Sequence, residues 1–464
     1  MLYILKEPYA LRGWNGTPYV ITDYSSGRAK ELNKPVYDVL SLCSGMADFD
    51  TFLIPDKFRE IAEKLLEEGI IEKSQPGRIL KPYQKFKLYP NKYIKTVHWS
   101  ITGRCNYKCR HCYMSAPEAK YGELSYEQCI DIIDQLYNCG VMNVSITGGE
   151  ALIREDFFSL LDRMLVYGIN ITHIYSNGAL VSAELLDALD RRRIYPEFNL
   201  SYDGVGWHDW LRGVEGAEET VINAYKLCRE RRFPTGAELC LHKRNRNTLR
   251  ESINLLASLG VRSLKTNPAS MSGDWIENED GDNLSISELF DIYLDYIPYF
   301  FEDGSPISLQ LGGFFYAYKG EKKYRLPSVK SDGDEKTGTH CVCGHARDVM
   351  YLSAEGRVLP CMSLSGLDIQ KDFPLIYETG LVNCLTDSVY MKLIETTVDD
   401  YIAQNPECNR CKNKYQCGAG CRASALDTGG NIMGPDKAVC TFYKGGYIER
   451  IQKAAKGYEC VNHK

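Results

Sequence analysis

A chain of 464 residues exceeds what one hydrophobic core usually fills, so two or three domains are expected. With 44% hydrophobic and 25% charged residues the composition is globular, which excludes a mostly disordered or fibrous protein. The net charge of −6 suits nucleic-acid phosphates poorly, and no apolar run reaches the roughly 20 residues that span a bilayer; neither nucleic acid nor membrane is an expected partner. The first seven residues, Met1 to Glu7, lack the basic-then-apolar layout of a signal peptide, and the expected location is cytoplasmic. Most of the 18 cysteines cluster, and without an export signal clustered cysteines read as metal ligands before disulfides.

Residues 1–72 read as a small domain. Residues 9–22 form strand, turn and strand around Asn15-Gly16. Val36, Val39, Leu40 and Cys43, then Phe58, Ile61, Ala62, Leu65 and Leu66, follow helical spacing, and Gly69 precedes a short strand at Ile70-Ile71. The outline is winged-helix-like, without the basic face that DNA binding needs. It resembles the PqqD-like recognition elements of peptide-modifying enzymes, which implies capture of a leader peptide at a sheet edge; the bland alternative is a structural cap. Residues 73–95 carry seven Lys/Arg and no Asp or Glu, and 73–92, with Pro76, Gly77, Pro82 and Pro90, is expected to be a basic linker.

A strand at 96–101 leads to Cys105-Asn-Tyr-Lys-Cys109-Arg-His-Cys112. Three thiolates on a short loop can hold three irons of a 4Fe–4S cube and leave the fourth open, whereas structural zinc wants four ligands. This loop resembles the signature of the radical S-adenosylmethionine (SAM) superfamily. The resemblance implies that SAM chelates the open iron and is reductively cleaved to a 5′-deoxyadenosyl radical, with His111 and Tyr113 near the adenine. After a further helix and strand come Gly148, Gly149 and Glu150, matching the motif that contacts the SAM amino group. Ser176 and Asn177 match a ribose-contacting strand end; Ser201 and Arg212 match a fourth SAM-contacting segment. Strands near 141–147, 169–175, 196–202, 236–242 and 261–267 alternate with helices near 123–139, 155–167, 181–192, 218–232 and 247–259. The expected fold is α/β: a partial (β/α)6 barrel over 93–305, with its motifs at the strands' C-terminal ends.

Residues 306–464 are expected to hold a bridging region and a second cysteine cluster: Cys343, Gly356 and Cys361, then Cys408, Cys411, Cys417 and Cys421, then Cys440. The spacing resembles the SPASM extension with two auxiliary iron–sulfur clusters; the rival is a zinc ribbon. The resemblance implies Cys343, Cys361 and Cys421 on one cluster and Cys408, Cys411, Cys417 and Cys440 on the other. The fourth ligand of the first stays open between Cys341, a substrate thiolate and Cys460. Three 4Fe–4S clusters and SAM are the implied cofactors; a precursor peptide and an electron donor such as flavodoxin or ferredoxin are the implied partners. The implied activity is hydrogen abstraction from a residue of a ribosomally made peptide, giving a thioether, cross-link or changed stereocentre. Peptide-derived cofactor biosynthesis and sulfatase maturation are alternatives, the latter disfavoured by Met362 where that family has Asp. A zinc-stabilised adaptor is the non-enzyme alternative. No general base is assigned; Tyr202, Asp203, Glu238 and His242 are candidates near strand ends.

Overall fold

The computed structural model describes residues 1–116, 118–330 and 333–461. At the N-terminus, Tyr9–Asn15 and Thr17–Asp23 pair antiparallel about Asn15-Gly16, where Gly16 takes φ +82° without a Cβ to clash. Arg28–Glu31 adds to this hairpin as an edge. Asn33 caps the helix Lys34–Leu42 by accepting from the Val36 amide at 3.0 Å. That helix and Asp56–Glu67 bury Val39, Leu40, Ala62 and Leu65 against Tyr3, Leu5, Leu11, Ile21 and Phe49. Leu2–Leu5 lies between Ser44–Asp48 and Ile71–Ser74 in a second, three-stranded sheet.

Residues 73–92 are not the tether that their charge suggests. Gln84 is buried, and its amide donates to the Leu5 carbonyl at 2.9 Å and the Tyr9 carbonyl at 3.2 Å. Lys87–Lys92 pairs parallel with Tyr9–Asn15 as the other edge of the hairpin sheet. Lysines and Pro90 on its exposed side suit an edge strand, and the same residues hide it from a reading by hydrophobic alternation.

The six expected barrel strands all form, in sequence order and parallel: Thr96–Ser100, Asn143–Thr147, Asn170–Ser176, Glu197–Ser201, Thr235–Leu241 and Ser263–Pro268. Two further parallel strands flank them. Ser308–Leu311 follows the last, so the expected boundary at residue 305 cuts through the sheet. Val349–Leu352 lies beside Thr96–Ser100, so the cysteine-rich C-terminal region is stitched into the barrel itself. The expected C-terminal boundary at 464 lies outside the described residues.

Helices Tyr126–Asn138, Phe157–Val166, Ala183–Arg191, Ala217–Glu230 and Leu249–Ser258 cover the outer face. Alternate strand residues pack beneath them: Val97, Trp99, Val144, Ile146, Ile174, Phe198, Leu200, Leu239 and Leu264. Each such side chain fully removed from water contributes about 1.5–3 kcal/mol. The intervening residues, among them His98, Tyr175, Asn199, Glu238 and Lys265, face the concave side.

The N-terminal unit docks at the starts of the barrel strands. Trp14 Nε1 and Asn91 Nδ2 both donate to the Cys139 carbonyl, at 2.9 and 3.1 Å, and Asn143 Nδ2 donates to the Gly27 carbonyl at 2.9 Å.

Candidate functional site

The Cys105 to Cys112 loop leaves the C-terminal end of Thr96–Ser100. All 18 cysteines are free thiols. Each of the three loop sulfurs receives an N–H donor: Tyr107 N to Cys105 Sγ at 3.4 Å, Ala116 N to Cys112 Sγ at 3.3 Å, and Arg212 Nη1 to Cys109 Sγ at 3.8 Å. Burial pushes the Cys105 thiol up to about 12, and raises Cys109 and Cys112 as well. The donors around these sulfurs are those that stabilise thiolates once a cation is bound.

Spacing separates a cluster from a single ion. Thiolates around one zinc at about 2.3 Å lie about 3.8 Å apart. Among the described residues, no three cysteines bring their sulfurs within 4.8 Å of one another. The loop offers three sulfurs, one short of the four that structural zinc takes, which suits a multi-iron group with one open position. Among the described His, Cys, Asp and Glu residues, the one trio inside that limit is His111, Asp203 and Cys240. Its closeness has another cause, because Asp203 accepts from Arg212 Nε at 2.6 Å and from the Cys240 amide at 3.1 Å.

Four glycines from separate segments let the backbone close around the loop. A Cβ on Gly149 would sit 2.2 Å from the Arg104 carbonyl oxygen; on Gly213, 2.5 Å from that of Lys108; on Gly273, 2.2 Å from that of Cys112; and on Gly366, 2.2 Å from that of Tyr113. Sequence reasoning found Gly149 and missed Gly273 and Gly366, whose partners are more than 150 residues away in the chain and leave no local pattern.

Glu150 is fully buried, and its carboxylate accepts from Ser176 Oγ at 3.0 Å and the amides of Asn177 and Leu152 at 2.8 and 3.1 Å. Burial raises its pKa, and these donors oppose the shift. Asn177 Nδ2 reaches the Asn106 side chain at 2.8 Å. Gly148, Gly149, Glu150, Ser176 and Asn177 thus form one connected wall beside Cys105. Ser201 ends the next strand. His111 is held neutral, its pKa lowered to about 3 mainly by burial and then by Arg212, and its Nδ1 has no hydrogen-bond partner among the described residues. Tyr113 follows within the same loop, its main chain packed against Gly273 and Gly366.

The four general-base candidates part company. Asp203 is locked to Arg212 and held well below the usual carboxylate range despite its burial. The Tyr202 hydroxyl donates to Glu218 at 2.9 Å, and His242 packs against Trp210 and Trp275. Glu238 lies on the concave face, 30% exposed, with its carboxylate 3.9 Å from Lys265 Nζ.

The second cysteine group resolves into two neighbourhoods. Burial and then Cys421 and Cys343 push Cys361 up to about 12; burial and then Cys440, Cys408 and Cys411 do the same to Cys417, with Asp436 adding to it. Cys341 Sγ instead receives the Arg347 guanidinium at 3.7 Å, and Cys460 belongs to the terminal strand Glu459–Cys460 beside Lys323–Arg325.

Residues 99–256 match the radical SAM superfamily. The AdoMet-dependent heme synthase of Methanosarcina barkeri is 25% identical over 364 residues, spanning 76% of this chain and 97% of that protein. The mycofactocin maturase MftC of Mycobacterium tuberculosis is 24% identical over 347 residues, spanning 73% and 81%. In fold, the chain is similar to Streptococcus suis SuiB bound to its precursor peptide SuiA, with TM-score 0.65 at 15% identity over 95% of this chain and all of that one. Residues 99–256, which carry the three-thiol loop and the glycine-rich wall beside it, thus match the radical SAM superfamily, in a chain similar to a heme synthase and to a peptide maturase.

Proposed function

We propose that this chain is a peptide maturase that reductively cleaves SAM and removes hydrogen from a residue of a ribosomally made precursor peptide. The observation that carries this reading is the Cys105, Cys109 and Cys112 loop, with an N–H donor on every sulfur, at the C-terminal mouth of a barrel whose polar residues face inward. These cysteines would hold a 4Fe–4S cluster, which together with SAM supplies the 5′-deoxyadenosyl radical. The wall from Gly148 to Glu150, with Ser176, Asn177, Ser201 and Arg212, binds and orients SAM. His111, held neutral, and Tyr113 lie on the adenine side.

Cys343, Cys361 and Cys421 hold one auxiliary cluster of a SPASM domain, and Cys408, Cys411, Cys417 and Cys440 hold a second. A flavodoxin or ferredoxin delivers the electron. The N-terminal unit is a PqqD-like domain that binds the leader. Supporting this is a groove of about 340 Å³ between the edge strand Arg28–Glu31 and the helix Asp56–Glu67, floored by Ile21, Val36, Leu40 and Leu65 and bordered by Lys30, Lys57 and Lys64. An added strand would pair with the free edge while its apolar side chains fill the floor.

Anaerobic reconstitution tests the reading. The protein should bind about twelve irons and, with reductant, convert SAM to 5′-deoxyadenosine. Replacing Cys105, Cys109 and Cys112 with Ala should abolish that conversion. A colourless protein with stoichiometric zinc, or turnover by the triple variant, refutes it.

A further inference from the structure

The concave face of the barrel carries a row of polar side chains in register. Ser201 pairs with Glu238, Glu238 with Lys265, and Lys265 with Gln310, on four adjacent parallel strands. Ser201 stands at the strand end assigned above to SAM, so the row starts beside the reacting centre. The side chains of Glu238 and Lys265 are 30% and 41% exposed in mid-sheet, although Ala237, Leu239 and Leu264 next to them are fully packed. The row therefore borders open space. Glu238 and Lys265 stand 3.9 Å apart, well beyond the about 2.7–2.9 Å of a charge-assisted hydrogen bond. Each keeps its hydrogen-bonding capacity for something else.

Neighbouring groups face the same space. Burial and then Lys265 hold His98 neutral, its pKa near 3, and Glu238 acts on both Tyr113 and Tyr175. His98 stacks on Tyr175 at 4.7 Å, and its Nε2 has no hydrogen-bond partner among the described residues.

We propose that Glu238 and Lys265 anchor the main chain of the peptide inside the barrel, an assignment that rests on the peptide-maturase reading above. In an extended residue the N–H and C=O lie on the same edge of the chain. The Glu238 carboxylate accepts the N–H and the Lys265 ammonium donates to the C=O, so the pair grips one residue whatever its side chain is. This fixes which neighbouring residue faces the radical, giving register rather than sequence selectivity.

The test uses the full-length, cluster-loaded protein with SAM and no reductant, and as probe the fluorescently labelled precursor peptide encoded beside its gene, whole and as leader alone. Glu238→Gln and Lys265→Met should each weaken the whole peptide about tenfold or more, the loss expected for a hydrogen bond to a charged group, and leave the leader alone unchanged. With reductant added, both should still form 5′-deoxyadenosine but yield less modified peptide per SAM cleaved. Glu238→Asp and Lys265→Arg should recover part of the affinity. Whole-peptide affinity and product per SAM cleaved within twofold of wild type in both variants overturn the anchor. Should Gln or Met disturb the fold, seen as loss of leader affinity, Glu238→Ala and Lys265→Ala carry the comparison, and unchanged whole-peptide binding by them overturns it equally. A wild-type protein that cleaves SAM but neither binds nor alters the peptide refutes the peptide reading itself, and the anchor falls with it.

Discussion

Asp203 has no access to water: its side chain is fully buried, and Arg212 Nε lies 2.6 Å from it. Removing Arg212 alone leaves a buried carboxylate with only the Cys240 amide and His208 beside it and no cationic partner, which costs about 3–5 kcal/mol. Arg212→Met should therefore lower the urea midpoint strongly, and adding Asp203→Asn should restore much of the loss, because the amide can be buried without a charge. A single variant within about 1 kcal/mol of wild type would show that the pair does not brace the barrel. His98 gives the acid limit. Its folded pKa near 3 lies below its ordinary 6.5, so between those values the unfolded chain binds the proton and the folded one does not. Stability is full above pH 6.5 and falls as pH drops toward 3, by about 1.4 kcal/mol per unit from this group. At pH 5 the loss is about 2 kcal/mol, and His98→Gln should flatten that slope in thermal melts of the metal-free protein. At this scale the thiols were legible because Cys105, Cys109 and Cys112 form a pattern local in the chain. The roles of Asp203 and Glu238 were not. Both are acids at strand ends in the sequence, and only the fold gives Asp203 an arginine and Glu238 an open cavity.

The loop that carries the thiols owes its shape to elements that touch it from elsewhere. Gly149 follows the strand Asn143–Thr147, and a Cβ there would meet the Arg104 carbonyl oxygen at 2.2 Å and Cys105 Cβ at 3.0 Å. Backbone cannot step aside as a flexible side chain can, so Gly149→Ala must push the loop outward. The expected outcome is a folded protein, destabilised by about 1–3 kcal/mol, that loses the SAM-responsive cluster signal in electron paramagnetic resonance but keeps the auxiliary signals. An unchanged response to SAM would mean that the loop tolerates the shift. The barrel strands and their covering helices could be read from the chain because each buries one face and alternates or repeats accordingly. Lys87–Lys92, Ser308–Leu311 and Val349–Leu352 escaped. They are short, and their partners are set by tertiary pairing, as in Val349–Leu352 beside Thr96–Ser100, about 250 residues earlier.

The whole molecule places its N-terminal unit and its cysteine loop at opposite ends of the barrel strands. The N-terminal unit contacts the strand starts through Trp14, Asn91 and Gly27, whereas the cysteine loop and the Gly148 to Glu150 wall stand at the strand ends. Asn143–Thr147 spans five residues, so at about 3.3 Å per residue the ends are about 16 Å apart along that strand alone. A peptide held in the Arg28–Glu31 groove must cross at least that distance, plus the depth of the docked unit, before any residue meets the radical. Since an extended chain covers at most about 3.3–3.6 Å per residue, five or more residues must separate the leader anchor from the modified site. Cutting that spacer to fewer than five residues should leave leader affinity unchanged and abolish modification, while inserting five Gly-Ser residues should be tolerated, because a longer loop costs little additional closure entropy. Mass spectrometry of the peptide products, read beside anisotropy of leader binding, separates these outcomes. Modification that persists with the shortened spacer would place the leader elsewhere than in the groove between Arg28–Glu31 and Asp56–Glu67.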